Sequence, residues 1–224
     1  MKFSGLQKTS LVDFPNRVAS VLFTPGCNLR CPYCHNWRIV VDPKPPFMNE
    51  ETALNMLEAR KKYVDAVVIT GGEPTLHKEL PKFLKRLKER GFAVKLDTNG
   101  FFPQVLEECL PYVDYVALDV KTSPEKYEGL GARGTAGFLQ TIEMLKTGKV
   151  EYEFRTTVVP GFVDIEDITR IGELIKGAKL LAIQQFVPGD TLDRNSTLKP
   201  YTSEILAKFA ESLRDCAESM VLRI

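Results

Sequence analysis

Ala66-Val67-Val68-Ile69-Thr70-Gly71-Gly72-Glu73-Pro74 is a short apolar run, rich in β-branched residues, that breaks into two glycines, an acid and a proline. Such a run bounded by turn formers predicts a buried strand, here Ala66–Thr70, with a loop at its C-terminal end. The next segment, Leu80–Arg90, repeats Leu80, Phe83, Leu84 and Leu87 at helical spacing, and Gly91 suits the position just past a helix end. Ala93–Asp97 then forms a second strand that runs into Asp97-Thr98-Asn99-Gly100. Strand, helix and strand make a βαβ unit, whose two strands lie parallel.

The pattern extends in both directions. Val18–Phe23, Tyr115–Asp119, Glu151–Val158 and Leu181–Phe186 read as further strands, and Met220–Ile224 as a short last one. Asn49–Tyr63 carries Ala53, Leu54, Leu57 and Ala59 near one stripe, with Asn49 placed as an N-cap. Pro103–Leu110, Gly137–Thr147, Ile165–Lys176 and Ser203–Ala217 are also helical. Lys82, Lys85, Arg86, Lys88 and Arg90 read as a solvated helix face. Asp42–Phe47, with three prolines, is a rigid loop in the first crossover. Right-handed crossovers either curl six such units into a partial (β/α) barrel or leave an open doubly wound sheet. Periodicity does not separate the two, but both put chemistry at the C-terminal strand ends. The unusual residues fall there: Thr24-Pro25-Gly26-Cys27, Gly71-Gly72-Glu73-Pro74, Asp97-Thr98-Asn99-Gly100 and Asp119-Val120-Lys121.

Length and charge set bounds. The 224 residues suit one domain over 1–224, large enough to bury roughly 70% of its unfolded surface without disulfides. Lys plus Arg is 30 against 29 Asp plus Glu, which argues against a nucleic-acid binder working by bulk charge. No stretch of 18 apolar residues is present to span a membrane, and the N-terminus carries no signal-peptide pattern. The expected compartment is the cytoplasm, where the five cysteines stay reduced.

Three of those cysteines form Cys27-x3-Cys31-x2-Cys34. Chance would place this spacing roughly 0.002–0.003 times in such a chain. Thiolates select Fe–S clusters, zinc or Cu(I). An Fe–S cubane takes four ligands, so three cysteines leave one iron open to a small molecule. Structural zinc wants a closed set of four, and His35, directly after Cys34, is an awkward fourth. Cys31-Pro32-Tyr33-Cys34-His35 also matches the haem-attachment pattern, but that reading leaves Cys27 unexplained. Cys109 and Cys216 stand alone on helical patterns and read as core.

Cys27-Asn28-Leu29-Arg30-Cys31-Pro32-Tyr33-Cys34-His35-Asn36 resembles the cluster loop of the radical S-adenosylmethionine (SAM) superfamily, and in particular that of the glycyl-radical-enzyme activases. Thr9-Ser10-Leu11-Val12-Asp13-Phe14-Pro15 and Val21-Leu22-Phe23-Thr24-Pro25-Gly26 resemble the start of the activase group for anaerobic ribonucleoside-triphosphate reductase. Many activases have Gly where this chain has Asn16. The likeness runs through nearly the whole chain. It implies an α/β fold, a partial (β/α)6 barrel of the radical SAM type with parallel strands and helices outside.

The resemblance also assigns roles. Cys27, Cys31 and Cys34 would hold a [4Fe-4S] cluster and form the catalytic centre. Gly71, Gly72, Glu73 and Pro74 match the motif that binds the methionine amino group, with Glu73 as the carboxylate and the glycines admitting a ligand closely. Asp97, Thr98 and Asn99 are expected at the site, although Asn-Gly is also a common turn. Asp119 and Lys121 alternate onto one face, where a zwitterionic ligand would partner them, with Lys121 on the SAM carboxylate. A surface ion pair is the bland alternative. Arg155 would clamp the same carboxylate or simply pair with Glu153. Tyr33 and His35 match positions near the adenine ring. Asp97, Thr98 and Asp119 match oxygens that hold a monovalent cation in related enzymes. His77 reads as a loop histidine. The implied chemistry is one-electron cleavage of SAM to methionine and a 5′-deoxyadenosyl radical, which takes the Cα hydrogen of a glycine on a partner enzyme. The expected partners are a glycyl radical enzyme, here anaerobic ribonucleoside-triphosphate reductase, and an electron donor such as flavodoxin or ferredoxin, with no nucleic acid and no membrane. Other targets of the same chemistry, and a non-catalytic Fe–S or zinc module, stay open.

Overall fold

A computed structural model describes residues 1–224. Its elements, in chain order, are β1 Lys2–Phe3, β2 Gly5–Ser10, β3 Ala19–Thr24, α1 Trp37–Val41, β4 Met48–Asn49, α2 Glu50–Glu58, β5 Ala66–Gly71, α3 Leu80–Glu89, β6 Ala93–Thr98, α4 Pro103–Cys109, β7 Tyr115–Asp119, α5 Ala136–Thr147, β8 Glu151–Val158, α6 Ile165–Ile175, β9 Ala178–Gln185, α7 Ser203–Leu213 and β10 Ala217–Arg223. Eight strands form one sheet in the order β10-β9-β8-β7-β6-β5-β3-β2. β2 returns antiparallel to β3, and the other seven are parallel. β1 and β4 pair separately as a small antiparallel ribbon.

The parallel strands lie side by side in the order in which the chain makes them. A doubly wound sheet reverses at a switch point. With no reversal, crossovers of one hand carry every helix to the same face, and the twisted sheet curls around the other. That selects the partial barrel. It stays open because β2 and β10 are both edges. Two strands of the main sheet depart from the expected six-unit plan, and the β1–β4 ribbon lies outside it. β10 is a full seventh parallel strand starting three residues before Met220, and β2 was not expected.

The two faces of the sheet bury different things. Leu22, Ile69, Leu96, Leu118, Phe154 and Ile183 point outward into the main core, which Leu54, Leu57, Phe83, Leu84, Ile142 and Ile171 complete from the helices. The inner face carries a smaller apolar cluster, Ala19, Val21, Ala66 and Val68, with Phe14 packed against it from the β2–β3 turn. Pairing register puts Val68 opposite Lys95, Asp119 opposite Arg155, and Gln184 opposite Arg223, so these polar residues share the inner face. Asn16 has φ 59° in the β2–β3 turn. That left-handed backbone suits glycine best, and asparagine is among the few other residues that tolerate it.

Asn49 caps α2, accepting from the Thr52 N–H at 2.8 Å. The helix stops at Glu58 rather than Tyr63, as Arg60 to Val64 wind into turns. α7 likewise stops at Leu213 instead of Ala217, so Cys216 lies in the turn before β10. No helix is long and apolar enough to cross a membrane.

Candidate active site

The C-terminal strand ends surround a cavity of about 400 Å³. It is lined by Cys27, Cys31, Tyr33, Cys34, His35, Gly71, Gly72, Glu73, Asp97, Thr98, Asn99, Asp119, Lys121 and Arg155. Of the residues expected at a site, Pro74 alone stays out of the lining. It is buried behind it, at the first position of a single 3-10 turn, Pro74–Leu76.

The loop after β3 supplies the cysteines. Cys31 is buried, Cys27 and Cys34 are half-buried, and none is in a disulfide. The Cys34 N–H donates to the Cys31 carbonyl at 3.0 Å, which curls the loop. Cys27 Sγ accepts from the Leu29 N–H at 3.4 Å and from Asn99 Nδ2 at 3.6 Å. Burial pushes all three thiols up, Cys27 to about 12 with Glu73 adding to the rise. Lys121 pulls each of them the other way. One buried and two half-buried thiols around one cavity, beside Lys121, fit a positively charged metal centre, which takes thiolates and removes the cost of burying them. Cys109, by contrast, is wholly enclosed in the core, and Cys216 packs only partly buried against it.

Gly71 and Gly72, both in the cavity lining, also admit a close approach from within the chain. A Cβ on Gly72 would lie 1.8 Å from the Gly26 carbonyl oxygen. The group that needs the space is the cysteine loop itself. The Gly72 N–H donates to the Thr24 carbonyl at 2.9 Å, and the Glu73 N–H to the Gly26 carbonyl at 2.8 Å. His77 Nε2 lies 3.0 Å from the Pro25 carbonyl, a loop contact. Asn36 Nδ2 donates to the Gly71 carbonyl at 2.9 Å. Only glycine lets these two strand ends pack backbone to backbone.

Glu73, expected to offer its carboxylate to an ammonium group, already accepts bonds from the protein on both oxygens. It is 1% exposed. Its Oε1 accepts from the Thr75 N–H at 3.0 Å, from the Thr75 hydroxyl and from the Thr98 hydroxyl at 2.6 Å, while Oε2 accepts from the Asn99 N–H at 2.7 Å. Burial raises its pKa, and these donors oppose the rise. The carboxylate thus pins the loop after β5 to the loop after β6. Asn99 extends the link, donating through Nδ2 to Asn28 Oδ1 at 2.8 Å.

Across the inner face runs a ladder of alternating charge. Lys95 Nζ donates to Asp97 Oδ1, and Arg155 donates to Asp97 Oδ2 at 3.1 Å. Arg155 Nε donates to Asp119 Oδ1 at 2.8 Å, and Lys121 Nζ to Asp119 Oδ2 at 3.1 Å. Against the upward push of burial, Arg155 with Lys95 holds Asp97 low, and Arg155 with Lys121 holds Asp119 well below the usual carboxylate range. Arg155 therefore turns its fork on the chain's own carboxylates. Glu153 is paired by Arg223 instead, at 2.6 Å.

Tyr33 and His35 stand on the wall between the cysteine loop and β9. Tyr33 packs edge-on to Phe162 with ring centroids 5.2 Å apart, and His35 stacks on Phe186 at 6.3 Å. Gln184, Phe186 and Val187, at and beyond the end of β9, also line the cavity. No motif or residue spacing marks them in the sequence. Their one signal was position, since they too follow a strand.

Comparison with known proteins agrees with this arrangement. The Radical SAM superfamily model matches residues 21–175. A Methanocaldococcus jannaschii protein carrying the name glycyl-radical enzyme activating enzyme is 39% identical over 210 residues, 90% of this chain and 86% of the relative. A pyruvate formate-lyase-activating enzyme of Clostridium pasteurianum is 30% identical over 87% of this chain and 84% of its own length. Among solved structures, Escherichia coli QueE superposes with TM-score 0.64 at 18% identity, over 99% of this chain and 93% of that one. Streptococcus suis SuiB bound to SAM gives TM-score 0.70 at 15% identity, over 91% and 52%. The chain belongs to the radical SAM superfamily and, within it, to the glycyl-radical-enzyme activating enzymes.

Proposed function

We propose that this chain, acting as one domain over residues 1–224 in the cytoplasm, installs the glycyl radical of anaerobic ribonucleoside-triphosphate reductase. The observation that carries the activity is the meeting of Cys27, Cys31 and Cys34 with Lys121 around a single cavity. The sequence likeness at Thr9–Pro15 and Val21–Gly26 carries the choice of reductase. When bound, a [4Fe-4S] cluster on the three cysteines together with SAM would supply the one-electron cleavage chemistry, fed by a flavodoxin or ferredoxin.

The protein's part is binding and geometry. Lys121 lies between Asp119 and the cysteine loop, and it offers an ammonium group to the SAM carboxylate. The Gly71 and Gly72 backbone, fixed by Glu73, meets the amino end. Tyr33 and His35 flank the adenine. Arg155 fixes Asp119 and so aims Lys121. The gap between the β2 and β10 edges leaves the cavity open sideways to a peptide loop.

Lys121→Ala is expected to keep the cluster and weaken SAM binding by roughly 10- to 100-fold, the worth of one charge-assisted hydrogen bond. Calorimetric titration of the reconstituted enzyme measures this, and an unchanged affinity removes Lys121 from the site.

The names of several relatives favour a second target, pyruvate formate-lyase. Anaerobic mixing of the enzyme, SAM and reductant with each candidate distinguishes the two. A glycine-centred doublet in the EPR spectrum is expected with the reductase. A doublet with the lyase alone selects the second target, and a doublet with neither refutes both.

A further inference from the structure

Asp97, Thr98 and Asp119 are the oxygens that a monovalent cation would need, and all three are occupied by the protein. Each of the four carboxylate oxygens has its own cationic donor: Lys95 and Arg155 on Asp97, Arg155 and Lys121 on Asp119. The Thr98 hydroxyl donates to Glu73 at 2.6 Å and accepts from the Gly100 N–H at 3.0 Å. A metal ion placed here would face three positive side chains within a few ångströms, and like charges at that range in a half-dry site repel strongly. The residues present do not fit the ion.

The residue that closes the site to it is Lys95. Its side chain is 2% exposed and reaches Asp97 from the floor of the barrel. Its inner-face neighbours by register are Val68 and Tyr115, which supply no charge. A lysine buried at that depth is costly unless its ammonium group is paired where it ends, and Asp97 supplies that partner. There it is the third positive charge of the ladder, on the side of Asp97 away from Arg155.

We propose that Lys95 is the built-in counter-cation of the cofactor site, a positioning residue whose ammonium group does the work of a bound monovalent ion, so that this enzyme binds SAM without sodium or potassium. The proposal rests on the reading that Asp119 and Lys121 border SAM. Lys95 holds Asp97, Asp97 and Asp119 together hold Arg155, and Asp119 then presents Lys121.

The test is SAM affinity of the cluster-loaded, unreduced enzyme in sodium, potassium and choline chloride at equal ionic strength. The wild-type dissociation constant is expected to vary by less than about twofold among the three salts, because choline is too large for any site in the ladder and no site needs filling. Lys95→Ala removes the charge and leaves a space. It is expected to bind SAM about tenfold more weakly in choline and to recover in sodium or potassium. Lys95→Met removes the charge but fills the space, and it stays weak in all three salts. This split separates a charge role from a packing role. A wild-type affinity that drops tenfold in choline overturns the proposal, as does a Lys95→Ala enzyme equal to wild type in choline. Should the variants not fold, the wild-type comparison decides. A loaded wild-type enzyme that binds no SAM in any salt removes the site reading, and this inference with it.

Discussion

Cys31→Ala is expected to yield a folded but colourless protein, with no iron, no sulfide and no cleavage of SAM under reducing conditions. Cys31 is the most buried of the trio and sits at its centre in sequence. Its removal leaves Cys27 and Cys34, and two thiolates cannot hold a cubane that already lacks a fourth protein ligand. The loop itself does not depend on that sulfur. Its shape comes from backbone bonds, Cys34 N–H to Cys31 carbonyl and Arg30 N–H to Leu130 carbonyl at 2.7 Å. The cluster-free fold should therefore lose only about 1 kcal/mol. Cys109→Ala is the contrasting control. That thiol is enclosed in α4 and is not part of the cavity lining, so the variant should keep the full iron and sulfide content. Metal and sulfide analysis with the visible absorption spectrum reads both. An intact cubane in Cys31→Ala would end the ligand assignment.

The parts of this molecule that could be read from sequence are those whose cause is local. Tyr115–Asp119 and Glu151–Val158 are legible to the residue, since each is an alternating or continuous run with turn formers at its ends. The edge strand Gly5–Ser10 is not. Gln7, Lys8 and Thr9 are exposed, as befits an edge, and they give no apolar period to detect. The same division holds at the site. The cysteine spacing and the Gly-Gly-Glu-Pro loop are compact signals. That Glu73 would bond Asn99, or that Arg155 would bridge Asp97 and Asp119 rather than pair with Glu153, depends on which strand neighbours which and in what register. Those pairings span 26 to 58 residues of chain, and no window of sequence contains them.

Arg155→Ala is expected to cost the cluster-free protein about 3–5 kcal/mol at neutral pH, the range for removing one partner of a buried ion pair. Arg155 is a severe case because one side chain serves two carboxylates, and its side chain is only 16% exposed. Once it is gone, Asp97 leans on Lys95 alone and Asp119 on Lys121 alone. The pH dependence has a definite sign. In the wild type, Arg155 holds both carboxyls below their unfolded values in spite of burial. A depressed folded pKa contributes stability that is complete above the unfolded carboxylate range, near pH 4, and is lost as pH falls through the folded value. In the variant, burial persists without the guanidinium, so the two folded pKa values rise and that contribution shrinks. The deficit should thus be largest near pH 7 and should narrow toward pH 4, where the carboxyls of the variant can protonate. Arg155→Lys should recover only part of the loss, because an ammonium group is a point charge and cannot span Asp97 and Asp119 as the planar fork does. Guanidinium unfolding at pH 7 and pH 4.5 measures all three proteins. A loss under 1 kcal/mol, or a deficit that grows on acidification, would mean that the ladder is solvated and that Lys121 is aimed by something other than Arg155.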